Sequence, residues 1–172
     1  MILKRLFKRS AKSERSCYEA IVAAARHPVF YADWEVPDTL DGRFDMISLH
    51  AFLVLDRLRG EEQAFRQALV DELFADMDRS LREMGVGDIS VGKKVRKMAE
   101  VFYGRVAAYN QALSGADGAL EAAIARNIFP DQPDSRGPGL LAAHVVNQRR
   151  HLAAQQAPAI IMGTVHFKEP AP

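Results

Sequence analysis

Apolar positions recur every three or four residues over long stretches of the chain, a spacing that sets one apolar face along each of several successive α-helices. The clearest case runs from residue 61 to 84, where Phe65, Leu69, Leu73, Met77, Leu81 and Met84 share one side. Such a helix is about 36 Å long, and Gly85 is its expected stop. After Gly87 the spacing predicts a second long helix, capped by Asp88 or Ser90, with Val95, Met98, Phe102, Val106, Tyr109 and Leu113 facing inward and Ser114 and Gly115 closing it. From residue 43 to 59, Phe44, Ile47, Ala51, Phe52, Val54, Leu55 and Leu58 cover much of the circumference. That pattern marks a central helix surrounded by others.

The flanking regions are shorter. A helix over 13–26 is expected to start at Ser13 as N-cap and to bury Tyr18, Ile21, Val22 and Ala25, with His27 and Pro28 breaking it before a new turn over 29–34. Residues 36–42 carry Pro37, Asp38, Asp41 and Gly42 and read as a turn-rich connector. A helix over 119–129, a Pro- and Gly-rich loop over 130–139 and a last helix over 140–155 follow. The apolar, partly β-branched segment 159–167 has no sheet to join and is expected to pack as an extended tail. The fold class that results is all-α: a single compact multi-helix domain with an extended C-terminal tail. Its expected parts are a basic amphipathic segment (1–12), a helical domain (13–156) and the tail (157–172).

Composition narrows the function classes. With 172 residues, 48% of them hydrophobic, the chain is long enough for one well-buried core. Its 23 basic and 22 acidic residues leave a net charge of +1, so the whole-chain balance calls for no polyanionic partner, DNA included. Charge is instead local. Lys4, Arg5, Lys8 and Arg9 alternate with Leu6 and Phe7 in a short amphipathic pattern suited to an anionic membrane surface. Farther on, the acidic helix 61–84 is followed by the cluster Lys93, Lys94, Arg96 and Lys97, for which salt bridging to that acidic helix is one reading and phosphate or acidic-protein contact another. The longest apolar run, residues 47–55, is too short to span a bilayer, and the N-terminus lacks the apolar core of a secretory signal, so export is not expected.

No catalytic constellation stands out. Gly87 to Lys93 matches the first half of a phosphate-binding loop, but Lys94 occupies the position of the magnesium-binding hydroxyl, and the segment follows a helix where such loops follow a strand. The five histidines have no metal-binding spacing, and His50, inside the most apolar helix, fits a core histidine bonded to backbone. Cys17 is a single small helix residue that forms no intramolecular disulfide. A non-enzymatic protein without a cofactor is the expectation.

Two stretches say more. Residues 37–46 with the following helix 47–58, and residues 73–93 from Leu73-Phe74-Ala75-Asp76-Met77 to Val91-Gly92-Lys93, together with Met98-Ala99-Glu100-Val101-Phe102-Tyr103-Gly104-Arg105, resemble the ubiquinol-cytochrome c chaperone family over roughly residues 17–113. The resemblance implies an all-helical, non-catalytic protein that binds newly made cytochrome b, or the nascent cytochrome bc complex, and assists its maturation. It implies a small assembly partner in mitochondrial relatives, and for this chain a bacterial form in the cytoplasm, at the cytoplasmic face of the inner membrane. A peripheral membrane adaptor without a dedicated client is the alternative.

On physical grounds the candidate client-binding residues are Asp38, Asp41, Gly42 and Arg43 in the connector, and Lys93, Lys94, Arg96, Tyr103 and Arg105 beyond the glycine turn. An apolar groove edged by acidic helix residues would suit a membrane helix flanked by cytoplasmic Lys and Arg.

Overall fold

The computed structural model describes residues 2–170, with side chains described from residue 12 onward. Among the described residues there are eight helices and no strands: α1 (Ile2–Ala25), α2 (Pro28–Ala32), α3 (Leu40–Arg57), α4 (Gln63–Glu83), α5 (Asp88–Leu113), α6 (Ala119–Ile128), α7 (Gly137–Ala153) and α8 (Ala157–Ile161). The all-α expectation holds.

α3 is the central element. Every residue from Phe44 to Val54 is buried, as the nearly all-round apolar pattern requires, because α1, α5, α6 and α7 all pack on it. α1 also lies against α4 and α8, and the chain then steps from α4 to α5, α6 and α7 as neighbouring pairs. The long helices bury the residues their spacing selects: Phe65, Leu69, Leu73, Met77 and Leu81 in α4, Phe102 and Tyr109 in α5. Cys17 is fully buried, and burial, with Glu14 adding to it, pushes its thiol up to about 12.

Several boundaries differ from expectation for local reasons. α1 runs unbroken from Ile2, so Ser13 sits inside a helix and does not cap one. The Lys4, Arg5, Leu6, Phe7, Lys8 and Arg9 side chains lie outside the described residues. The connector is shorter than 36–42, since Thr39 caps α3 by accepting a 3.1 Å hydrogen bond from the Gly42 amide, which draws Asp41, Gly42 and Arg43 into the first helical turn. The N-cap of α5 is Gly87, with Asp88 as its first helical residue; Asp88 pairs with Arg82 and does not cap. Met84 falls at the α4 C-cap and is 55% exposed, not part of the inner face. α7 begins at Gly137 with proline in its first turn, three residues before the expected start. α8 is an unexpected short helix, and only the segment after it is extended.

That final segment is held by side chains. Gln155 accepts from the His166 amide (3.0 Å) and donates to its carbonyl (2.6 Å), and Gln148 does the same for Lys168 (3.0 and 2.5 Å). Phe167, between them, packs edge-on against the His50 ring at 5.4 Å. His50 is bonded through Nδ1 to the Met46 carbonyl at 2.8 Å, and the His144 ring lies 5.6 Å from it beside Phe30 and Trp34.

Candidate functional site

A groove of about 640 Å³ lies where the start of α3, the middle of α5 and the end of α6 converge. Leu40 and Phe44 from α3, Leu81 from α4, Met98 and Val101 from α5 and Ile128 from α6 give it apolar walls. Leu40, 51% exposed, stands at its rim. Acidic side chains, Asp41, Asp45 and Asp131, and basic ones, Lys94, Lys97 and Arg105, also line it.

The backbone approach that shapes the groove depends on Gly42. A Cβ at this position would lie 2.0 Å from the Pro37 carbonyl oxygen, so no larger residue fits without moving the connector. On the groove floor, Arg105 Nη1 lies 2.7 Å from Asp45 Oδ1, with both side chains largely buried. The contact is an ion pair by distance, but the oxygen has no aligned hydrogen-bond donor. Arg105 also donates to the Asn127 carbonyl (3.2 Å), at the C-terminal end of α6 where a cation is favoured. Burial raises the Asp45 carboxyl to about 7, with Arg105 pulling it down and Asp41 pushing it up. The buried Tyr109 hydroxyl and Ser48 hydroxyl also lack partners among the described residues, and burial raises the Tyr109 phenol far above its usual range.

Of the nine candidate residues, Asp41, Gly42, Lys94 and Arg105 meet at this groove. Asp38 and Arg43 do not: they pair with each other at 2.7 Å on the other side of the connector, beside Tyr31 and Arg26. That bond holds the Asp38 carboxyl below, and the Arg43 guanidinium above, the usual range. Tyr103, 52% exposed, edges a separate recess with Phe52, Val70 and Asn110. Lys93 and Arg96 project into solvent and, like Lys94, form no ion pair with a described residue; Lys97 pairs with Glu100 on its own helix. Salt bridging of this cluster to α4 is therefore not seen. The α4 acids Asp76 and Asp78 pair with Arg79 and Arg82, and Glu72 with Arg15.

Sequence reasoning missed Asp45, Met98 and Val101 as site residues. A carboxylate set between Phe44 and Met46-Ile47 was a usable signal for Asp45; the other two look like ordinary core positions. The phosphate-loop resemblance dissolves, because residues 88–94 are already helical and cannot fold into a cradle. No group of three or more metal-ligating side chains occurs among the described residues.

The described residues thus form a helical scaffold with a mixed apolar and charged groove. The comparisons with known proteins place it: the family model described as "Ubiquinol-cytochrome C chaperone" matches residues 32–167, and the chain belongs to that family of chaperones and assembly factors, which are not catalytic enzymes. It is 27% identical over 139 residues to the Xenopus laevis ubiquinol-cytochrome-c reductase complex assembly factor 1, covering 78% of this chain and 70% of that one. To the Saccharomyces cerevisiae mitochondrial protein CBP3 it is 29% identical over 106 residues, covering 58% of this chain and 32% of the yeast protein. The crystal structure of the Cbp3 homolog from Brucella abortus superposes with a TM-score of 0.86 at 43% identity, over 98% of this chain and 97% of that one.

Proposed function

We propose that the protein is an assembly chaperone that receives newly made cytochrome b and assists its entry into ubiquinol-cytochrome c reductase, working at the cytoplasmic face of the inner membrane. Family membership supports the assembly role. The observation that carries the client reading is the groove itself. A segment of a membrane protein near its cytoplasmic end offers apolar side chains followed by Lys or Arg. Leu40, Phe44, Met98, Val101 and Ile128 accept the former, while the exposed Asp41 and Asp131 offer counter-charges to the latter. Groove docking of this type needs no chemistry beyond burial and charge matching.

The test is recovery of cytochrome b with affinity-tagged protein from cells translating it. Leu40→Asp and Met98→Asp place a charge on the groove wall at positions that are not fully buried. Both variants are expected to remain folded by circular dichroism and to lose most of the cytochrome b that the wild type recovers. Undiminished recovery by both would remove the groove from the account.

A further inference from the structure

The turn between α4 and α5 projects as a hairpin tip whose shape is locally fixed. α4 ends with Gly85 in the left-handed region (φ +82°); the Gly85 amide bonds to the Arg82 carbonyl (2.9 Å) and the Val86 amide to the Leu81 carbonyl (3.0 Å). This closure satisfies the last carbonyls of the helix and turns the chain directly into α5. It leaves two large apolar side chains outside: Met84, 55% exposed, and Ile89, 85% exposed. Behind them stand Lys93, Lys94 and Arg96, with no ion pair to a described residue. Lys93 and Arg96 follow Ile89 by four and seven residues and so share its face of α5. The neighbouring acid Asp88 is engaged by Arg82, itself bound to Asp78, leaving Glu83 as the exposed exception.

The geometry points to this tip as a docking element for an anionic lipid surface, with Met84 and Ile89 entering the boundary of the acyl region and Lys93, Lys94 and Arg96 meeting the phosphates. An apolar pair with unpaired cations behind it along α5 matches the two layers of a bilayer interface. A nucleic-acid backbone would use the cations but gain little from Met84 and Ile89. The tip is also continuous with the groove: Leu81, one turn before Met84, and Lys94, one turn after Ser90, both line it. Docking at the tip would set the groove's mouth against the membrane, where a segment leaving the bilayer is first available. This inference rests on the reading of the protein as one that works at a membrane, and it adds which surface makes the contact.

The test is sedimentation of the purified full chain with phosphatidylcholine vesicles, with and without phosphatidylglycerol. Wild type is expected to sediment with the anionic vesicles alone and to be released by salt. Met84→Asp/Ile89→Asp should lower partitioning about tenfold or more, from lost apolar burial and two added negative charges. Lys93→Gln/Arg96→Gln should lower it about fivefold for each charge removed. Both pairs are exposed, and unchanged circular dichroism melts would show the fold intact. As a second readout, Ile89→Cys carrying an environment-sensitive fluorophore should shift to the blue on anionic vesicles, Cys17 being buried and unlabelled. Wild type that ignores anionic vesicles, tip variants that sediment like wild type, or RNA binding in place of vesicle binding would each overturn the proposal. Vesicle binding is read on purified protein and cytochrome b recovery in cells, so the docking element and the client can fail separately.

Discussion

Replacing His50 by leucine should flatten the dependence of stability on pH, and the size of the effect follows from the burial of that ring. His50 is fully enclosed among Phe30, His144 and Phe167, and burial lowers its pKa to about 4, against an ordinary value of 6.5, although the bond to the Met46 carbonyl acts the other way. The unfolded chain therefore takes up a proton between pH 6.5 and about 4 that the folded chain refuses. The stability tied to the neutral ring is complete above pH 6.5 and falls as the pH drops through that window. At pH 5 the loss for this one histidine is about 2 kcal/mol relative to pH 8. His50→Leu removes the titrating group, so the difference in unfolding free energy between variant and wild type should move by about 2 kcal/mol in favour of the variant from pH 8 to pH 5. Any fixed packing cost of leucine is the same at both pH values and drops out. So does the opposing contribution of Asp45, whose raised pKa makes stability fall as pH rises from 3.8 to about 7 in both proteins. Guanidinium denaturation of both proteins at the two pH values measures this directly. An unchanged difference would refute the picture of a neutral histidine held beneath the tail.

Other expectations test the site and its supports. Arg105→Leu leaves the Asp45 carboxyl buried without its counter-charge; the cost should be about 3 kcal/mol by chemical denaturation at pH 8, and smaller at pH 5, where Asp45 is already protonated. Gly42→Ala should cost about 3 kcal/mol and lower the thermal midpoint, because the added carbon overlaps the Pro37 carbonyl. Gln148→Ala removes two bonds to the Lys168 backbone, and hydrogen exchange should show lost protection of the Lys168 amide, with that of His166 less affected because Gln155 still holds it. Thr39→Ala should destabilise α3 by about 1 kcal/mol, read as a lower denaturation midpoint.

Where one helix face alone decides burial, the sequence is readable. Phe65, Leu69, Leu73, Met77 and Leu81 are buried at the spacing that singles them out, and α3 is buried all round as its composition demands. Boundaries depend on backbone bonds that composition disguises. Pro37, Asp38 and Gly42 look like one turn, yet the Thr39 hydroxyl caps a helix that starts at Leu40, three residues before the start expected at 43, and Gly42 is there because of contact with Pro37. Gly137 and Pro138 read as loop although proline fits a first helical turn. The extended tail was legible as apolar and sheetless, but its fixing by Gln148 and Gln155 was not, since glutamines eleven and twenty residues away carry no local signal. The groove is legible only in part for the same reason. Asp41, Lys94 and Arg105 announce themselves as charges, but their convergence with Asp45, Val101 and Ile128 is a product of how α3, α5 and α6 pack.

The most direct test of the assembly role is the reduced-minus-oxidised haem spectrum of membranes from cells lacking this gene, beside cells complemented with wild type. Selective loss of the b-type and associated c-type signals of the cytochrome bc complex, restored by the wild-type gene, is the expected result. Unchanged haem spectra and unchanged ubiquinol oxidation in the deletion strain would contradict it.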